Sequence, residues 1–202
     1  MYKFLRVIFL GFIKTFFPYK IINKDRAKVD GAVVVIANHL SNFDAFMVGS
    51  AFKEKMYFLG KKEWFEKRFL SKILTTVGGI PIDRDNIDLN AMKACFKTLK
   101  NGDKLGIFPE GTRNKTGEEL LPVKSGAAVI AVKCKVNFLP MYIVGKNKFL
   151  RRNKVYVGNV VSLEKYFGQK MTKELEEELS QVTRNAILDT KQEYLEWLKA
   201  KK

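Results

Sequence analysis

Short runs of consecutive apolar residues recur along the chain, and segments with helical spacing of apolar residues separate them. The run Ala32–Ala37 is rich in β-branched residues, which is typical of a strand buried on both faces. Similar runs predict further strands at 56–59, 104–108, 137–144 and 154–157. Apolar residues three and four positions apart predict helices at 89–100, 125–133 and 172–199. Because strands alternate with helices, we predict an α/β fold with a mostly parallel central sheet flanked by helices.

The N-terminal segment is apolar, aromatic and basic at once. Its longest stretch without a charge, Val7–Ile13, is far shorter than the roughly 18 to 20 residues that a membrane-spanning helix needs. On a helical wheel, four apolar side chains share one side: Leu5, Phe9, Phe12 and Phe16. Three basic side chains share another: Lys3, Arg6 and Lys14. We therefore expect residues 1–30 to form an amphipathic, membrane-interfacial helical segment ahead of an α/β domain at 31–202, with docking of this helix on the protein core as the alternative.

The charge balance limits the classes of partner. The chain has 37 basic and 21 acidic residues and a net charge of +16, so its surface attracts nucleic acid, an anionic bilayer or acidic proteins. Its basic residues are spread along the chain and no nucleic-acid-binding module is recognisable, so we expect no nucleic-acid partner. Cys95 and Cys134 lack the spacing of a metal site or a disulfide framework, which indicates a reducing, cytoplasmic environment.

The segment Asn38–Asp44 directly follows the first predicted buried strand. Functional sites of α/β sheets gather beyond the carboxyl ends of strands. The segment contains His39, the only histidine of the chain, and Asp44 follows it by five residues. A loop that enters a helix here brings the carboxylate back to the imidazole, where it orients the ring and stabilises its protonated form. The pattern predicts a general base for an alcohol, and a purely structural His–Asp pair is the alternative.

Charged side chains also follow other predicted strands. Glycines allow a sharp turn at Gly78–Gly79, after which a short strand delivers Asp83 and Arg84; a surface salt bridge is the alternative reading. The loop Phe108–Arg113 presents a carboxylate, a hydroxyl and a guanidinium, which suits a phosphate monoester or an ordinary polar turn. Lys61 lies just past another strand, where it contacts phosphate or is simply solvated.

Together, these motifs resemble those of the glycerolipid acyltransferase family, some members of which make phosphatidic acid from lysophosphatidic acid. The family pattern NHxSxxD is matched by Asn38, His39, Ser41 and Asp44. The pattern GxxxIDR is matched by Gly78, Ile82, Asp83 and Arg84, and FPEGTR is matched by Phe108 through Arg113. The resemblance covers about residues 30–145, with departures from the family pattern at Pro81 and Val123.

The resemblance implies a glycerol-3-phosphate acyltransferase-like fold and a role for each matched residue. His39 would be the general base and Asp44 its orienting partner. The substrate phosphate would be bound by Arg84 and Arg113, with help from Lys61. Glu110 and Gly111 would help to place the glycerol backbone, and Thr112 would complete the substrate-binding set. The resemblance implies no metal and no cofactor, because the substrate hydroxyl is itself the nucleophile.

The implied reaction moves a fatty acyl group from acyl-ACP or acyl-CoA to the sn-2 hydroxyl of lysophosphatidic acid, giving phosphatidic acid for phospholipid synthesis. Glycerol 3-phosphate, another lysophospholipid or a lyso-aminolipid is the alternative acceptor. Because a lysophospholipid partitions to the bilayer, we expect a peripheral enzyme on the anionic, cytoplasmic face of a membrane. The intact His39, Asp44 and Arg113 oppose a third possibility, a non-catalytic membrane-binding relative.

Overall fold

A computed structural model describes residues 2–84, 86, 88–145, 149–150 and 152–201. Within these residues the strands are β1 (Tyr19–Ile22), β2 (Val33–Ala37), β3 (Met56–Lys61), β4 (Gly79–Ile82), β5 (Lys104–Ile107), β6 (Phe138–Val144) and β7 (Asn153–Val157). The α-helices are α1 (Tyr2–Phe16), α2 (Asp44–Gly49), α3 (Arg68–Thr76), α4 (Leu89–Lys100), α5 (Gly126–Cys134) and α6 (Lys173–Lys199). Short 3-10 turns lie at Lys24–Ala27, Lys62–Phe65 and Glu164–Tyr166.

The strands of the described chain form a single sheet in the order β1-β7-β6-β2-β5-β3-β4. Strands β6, β2, β5, β3 and β4 run parallel to one another, as their pairings show. Strand β7 is antiparallel to β6, and β1 pairs with β7 in the parallel sense. The predicted α/β fold with a mostly parallel central sheet is therefore confirmed.

Strand β2 lies at the centre of the sheet and is buried along its whole length. Val34 and Ile36 pack into the core that includes α4, α5 and α6. Val33 and Val35, on the opposite face, pack with residues of α2 and of β6 and β7. This burial on both faces is the reason for the continuous apolar run. The parallel strands around β2 end at one edge of the sheet, which brings the loops after β2, β3, β4 and β5 together.

The predicted N-terminal segment 1–30 is only partly helical. Helix α1 ends at Phe16, and Tyr19–Ile22 pairs with β7 as an edge strand of the sheet. Ile22 and Ala27 are buried in the domain core. The structure therefore differs from the helical segment expected over residues 1–30, because Tyr19–Ile22 form a strand of the central sheet.

Helix α1 docks on the domain through the side that carries Arg6. The Arg6 guanidinium donates hydrogen bonds to the carbonyls of Phe52, Lys53 and Glu54, just beyond the end of α2. Phe9 stacks on Phe46 of α2 with ring centroids 5.4 Å apart. Away from these contacts, α1 exposes an apolar stripe: Phe4, Val7, Ile8, Phe12 and Phe16. The apolar face predicted from the helical wheel is thus divided, with Phe9 against the protein and Phe12 and Phe16 toward solvent.

None of the helices within the described residues combines the length and the apolar character needed to cross a bilayer.

Candidate active site

His39 and Asp44 meet at the carboxyl end of β2. The His39 Nδ1 atom lies 3.0 Å from Asp44 Oδ2. The same oxygen accepts hydrogen bonds from the backbone N–H groups of Leu40, at 2.6 Å, and Ser41, at 2.7 Å. Three N–H donors therefore hold the fully buried Asp44 carboxylate in one orientation. An ionised carboxylate only accepts hydrogen bonds, so the donor in this contact is the N–H at Nδ1. The neutral imidazole then carries its lone pair on Nε2.

The His39 ring is supported from one side by Phe108, at the end of β5. The two rings are stacked, with centroids 4.1 Å apart and an interplanar angle of 13°. His39 also lines a cavity of about 490 Å³, here called the catalytic cleft, together with Arg84 and Lys124. The His39 imidazole is therefore buried on the side that faces Asp44 and accessible from the cleft.

The Glu110 carboxylate holds the loop that carries His39 through hydrogen bonds to the backbone. One carboxylate oxygen accepts from the backbone N–H of His39 at 2.6 Å, and the other accepts from the backbone N–H of Leu121 at 2.9 Å. The Asn114 N–H donates to the His39 carbonyl at 2.7 Å, so both backbone polar groups of His39 are bonded to the loop after β5. Burial raises the pKa of the Glu110 carboxyl, and the hydrogen bonds from Leu121 and His39 offset part of that rise.

Two cationic side chains, those of Arg84 and Lys124, lie next to Gly111. Arg84 donates a hydrogen bond to the Gly111 carbonyl at 2.9 Å. Gly111 has a φ of 68°, and a Cβ added there would lie 3.4 Å from Cε and 3.5 Å from Nζ of Lys124. The glycine thus provides a left-handed turn, and the Lys124 side chain lies within van der Waals distance of the position that a Cβ would occupy. Lys124 is itself attached to this loop, because its backbone N–H donates to the Pro109 carbonyl at 3.0 Å.

Next to the catalytic cleft lies a second cavity of about 550 Å³, here called the polar pocket. Arg84 and Lys124 line both cavities, and Lys61 lines the polar pocket. Lys61 forms an ion pair with Glu63 at 2.9 Å, and Lys62 lies 3.5 Å from Asp83. No acidic side chain of the described residues forms an ion pair with Lys124. The polar pocket therefore combines four cationic and four acidic side chains, and Arg84 and Lys124 connect it to the cleft of His39.

The comparisons with known proteins agree with this geometry. The model of the acyltransferase family matches residues 19–144, which are more than half of the chain. The chain belongs to the acyltransferase family.

Similar acyltransferases include two bacterial enzymes. The 1-acyl-sn-glycerol-3-phosphate acyltransferase of Helicobacter pylori is 37% identical over 120 residues, which are 58% of this chain and 51% of that protein. The enzyme of the same name from Bacillus subtilis is 30% identical over 141 residues, which are 69% of either chain. The chain thus spans about half the length of the first relative and about two thirds of the second.

A solved structure shares the fold of this acyltransferase. The crystal structure of the 1-acyl-sn-glycerophosphate (LPA) acyltransferase PlsC from Thermotoga maritima aligns with a TM-score of 0.65. The alignment covers 94% of this chain and 77% of that chain, with 24% sequence identity. At this identity the likeness concerns the arrangement of strands and helices.

The acyltransferase fold gathers most of the predicted site residues at one edge of the sheet. His39, Arg84 and Gly111 line the catalytic cleft, and Lys61, Glu110 and Thr112 line the polar pocket. Arg113 lies outside the walls of both cavities as they are described. Its charge nevertheless acts on Arg84, because the pKa of that guanidinium is lowered first by desolvation and also by Arg113, against an opposing effect of Glu63.

Lys124 is the site residue that the sequence motifs did not predict. The available signal was the Lys-x-Gly segment that precedes α5. Glu110, predicted to help place the glycerol backbone, lines the polar pocket, and its carboxylate accepts hydrogen bonds from protein backbone on both oxygens.

An apolar cavity of about 140 Å³ lies between α1, α2, β3 and α3. Phe65 and Leu74 line it. Phe69, in the first turn of α3, is instead 79% exposed. Leu59 lines both this cavity and the catalytic cleft, so the two cavities adjoin at this residue.

Within the described residues, no three His, Cys, Asp or Glu side chains are grouped as they would be to hold a metal ion.

Proposed function

We propose that this acyltransferase moves a fatty acyl group from a thioester donor to the sn-2 hydroxyl of lysophosphatidic acid, giving phosphatidic acid. The observation that carries the proposal is the 3.0 Å contact between His39 Nδ1 and Asp44 in a cleft that also contains two cationic side chains. A base next to positive charge suits an acceptor that carries a hydroxyl and a phosphate. The names of the relatives from Helicobacter pylori and Bacillus subtilis support the same acceptor.

The proton transfer follows from the geometry of the imidazole. Nε2 of His39 takes the proton of the sn-2 hydroxyl as the oxygen attacks the thioester carbonyl. Asp44 stabilises the imidazolium that forms, and the tetrahedral intermediate then expels the thiolate, which takes the proton back from Nε2. A positioned base of this kind contributes about 10²- to 10⁴-fold to the rate.

The phosphate of the acceptor binds in the polar pocket in this proposal. Arg84 and Lys124 line both the pocket and the cleft, so a phosphate held by them leaves the glycerol hydroxyl within the cleft. Lys61 and Thr112 also line this pocket, and Arg113 adds positive charge that acts on Arg84. Orientation is essential, because a displacement of about 1 Å between the hydroxyl and the base can cost around 10²-fold in rate. Glu110 acts indirectly, by fixing the backbone of His39.

The membrane supplies the acceptor in this proposal. The apolar stripe of α1 faces solvent, whereas a helix that merely covered the core would turn this side inward. The net charge of +16 favours an anionic leaflet, as on the cytoplasmic face. Acyl carrier protein is acidic and coenzyme A is anionic, so both donors are compatible with the basic surface.

The deciding experiment transfers a labelled acyl group from acyl-ACP and from acyl-CoA to lysophosphatidic acid, with wild-type protein and with His39→Ala. We expect labelled phosphatidic acid with the wild type and a loss of at least about 10²-fold with the variant. Circular dichroism and vesicle binding of the variant should match those of the wild type. Near-normal turnover by His39→Ala would disprove the base assignment.

A panel of acceptors separates the proposed acceptor from its alternatives. Glycerol 3-phosphate, lysophosphatidylcholine and a lyso-aminolipid are offered with the same donor. Preference for lysophosphatidic acid supports the proposal, and preference for another member of the panel replaces the acceptor while leaving the chemistry of His39 in place.

A further inference from the structure

The connection between β6 and β7 carries two large apolar side chains on the protein surface. Phe149 is 58% exposed and Leu150 is 61% exposed. Leu150 has a φ of 53°, in the left-handed region that is uncommon for a branched apolar residue. Nothing in the proposed chemistry uses this pair, here called the tip.

The tip is fixed to the membrane-facing helix rather than standing apart from it. The Leu150 N–H donates to the Phe16 carbonyl, the last residue of α1, at 2.7 Å. The ring of Phe149 stacks on Phe16 at 5.9 Å and meets Phe17 edge-on at 5.7 Å. The pairing of β1 with β7 strengthens this attachment, as does the hydrogen bond of 2.6 Å from the Asn153 N–H to the Pro18 carbonyl. The tip therefore extends the apolar stripe of α1 onto a second element.

We propose that the tip is a second membrane contact, which inserts into an anionic bilayer beside α1. This inference rests on the membrane association in the proposed function and adds a site to it. Aromatic and leucine side chains next to basic residues suit the boundary between headgroups and acyl chains. In the sequence, basic residues flank the tip on both sides: Lys146, Lys148, Arg151 and Arg152.

The charge of the protein selects a bilayer over a second copy of the chain. Each copy has a net charge of +16, so two basic surfaces brought face to face would repel each other. An anionic leaflet offers an apolar interior for the tip and negative headgroups for its flanks. Two contacts joined by direct hydrogen bonding also act together, because binding of one places the other at the same surface.

The test compares two double variants in sedimentation with vesicles of phosphatidylcholine that contain phosphatidylglycerol. The first variant is Phe149→Ser with Leu150→Asn, since asparagine tolerates the left-handed conformation. The matched control is Val160→Ser with Leu195→Ser, which removes two exposed apolar side chains elsewhere on the surface. We expect vesicle affinity to fall about tenfold or more for the tip variant and to remain unchanged for the control.

A second measurement does not depend on loss of binding. Phe149→Trp should show a blue shift in emission and protection from an aqueous quencher when vesicles are added, relative to wild-type protein with its own tryptophans. Unchanged sedimentation of the tip variant, or a Phe149→Trp emission that vesicles do not alter, overturns the proposal. A dimeric wild type that becomes monomeric in the tip variant also overturns it, in favour of an interface between copies. Neither assay requires turnover, so an inactive wild type refutes the proposed reaction without affecting this result.

Discussion

The backbone N–H of His39 donates to the buried carboxylate of Glu110 over 2.6 Å. This contact joins the loop after β2 to the loop after β5, and the second Glu110 oxygen extends it to Leu121. The acid of the FPEGTR motif is therefore part of the frame that holds the base. A side chain of this kind influences the rate through the position of another residue.

Replacement of Glu110 by Gln should damage both stability and rate. The Gln amide has one oxygen for two backbone N–H donors, so one donor is left facing an NH₂ group. We expect unfolding free energy to fall by about 1–3 kcal/mol and kcat to fall by about 10²-fold if His39 moves by about 1 Å. The KM for lysophosphatidic acid should change little. Thermal denaturation and steady-state kinetics measure these effects, with the exposed Glu118→Gln as the control.

The Glu110→Gln variant should also change the dependence of stability on pH. Burial raises the folded-state pKa of this carboxyl, so the folded protein holds the proton more tightly than the unfolded chain. The stability contribution of this group therefore falls as pH rises from the ordinary carboxyl range through the raised pKa. Denaturation curves across that interval should lose this component in the variant. Identical pH profiles for variant and wild type would contradict the role of burial.

Asp44→Asn should separate orientation of the base from stabilisation of its charge. The amide oxygen can still face the three N–H donors that bond to Asp44 Oδ2, so the loop can keep its shape. The negative charge that stabilises the imidazolium is lost, and we expect kcat to fall by about 10²- to 10⁴-fold. Kinetics and circular dichroism check this, with the exposed Asp189→Asn as the control. A variant that retains wild-type kcat would reduce Asp44 to a structural residue.

Lys124→Ala should weaken binding of the phosphorylated acceptor. A charged hydrogen bond to phosphate is worth about 1.5–3 kcal/mol, which corresponds to a rise in KM of about ten- to hundredfold. Lys133→Ala, an exposed lysine of α5, should leave KM unchanged. The measurement is the KM for lysophosphatidic acid at a saturating donor concentration. A lower kcat with an unchanged KM would exclude Lys124 from phosphate binding.

Truncation should show where the membrane segment ends. Removal of residues 1–16 deletes α1 and leaves β1 in the sheet, so we expect a folded protein that binds anionic vesicles more weakly. Removal of residues 1–22 also deletes β1 and the buried Ile22, and the melting temperature should fall markedly. Equal melting temperatures for the two truncations would contradict the place of β1 in the domain.

The sequence predicted best the elements that are buried on both faces. The apolar run of β2 and the helical spacing over Leu89–Lys100 follow directly from the core that they form. Strand β1 was missed because four residues at a sheet edge carry too little periodicity, and its partner β7 is distant in the chain. The basic side of α1 differs from the prediction at Arg6, which donates hydrogen bonds to backbone carbonyls of the protein.

The candidate site was predicted at the level of motifs, and less well at the level of contacts. The five-residue interval between His39 and Asp44 fits one turn into a helix, and the structure shows that contact. The direction of the Glu110 carboxylate depends on backbone groups in two other loops, which spacing along the chain does not specify. The Lys124 side chain lies close to Gly111, a three-dimensional relation that the Lys-x-Gly segment of the sequence does not specify.

Helix α2 has only six residues, and different parts of the protein contact its two ends. Asp44 lies at its first residue, while Arg6 of α1 binds the carbonyls just past its last residue and Phe9 packs on Phe46 in between. The helix that carries the Asp44 carboxylate is thus also the docking site of α1. In the proposed function α1 lies in the headgroup layer, and a rigid spacer of less than two turns then sets the height of the His39 imidazole above the lipid. A flexible tether would leave that height undefined.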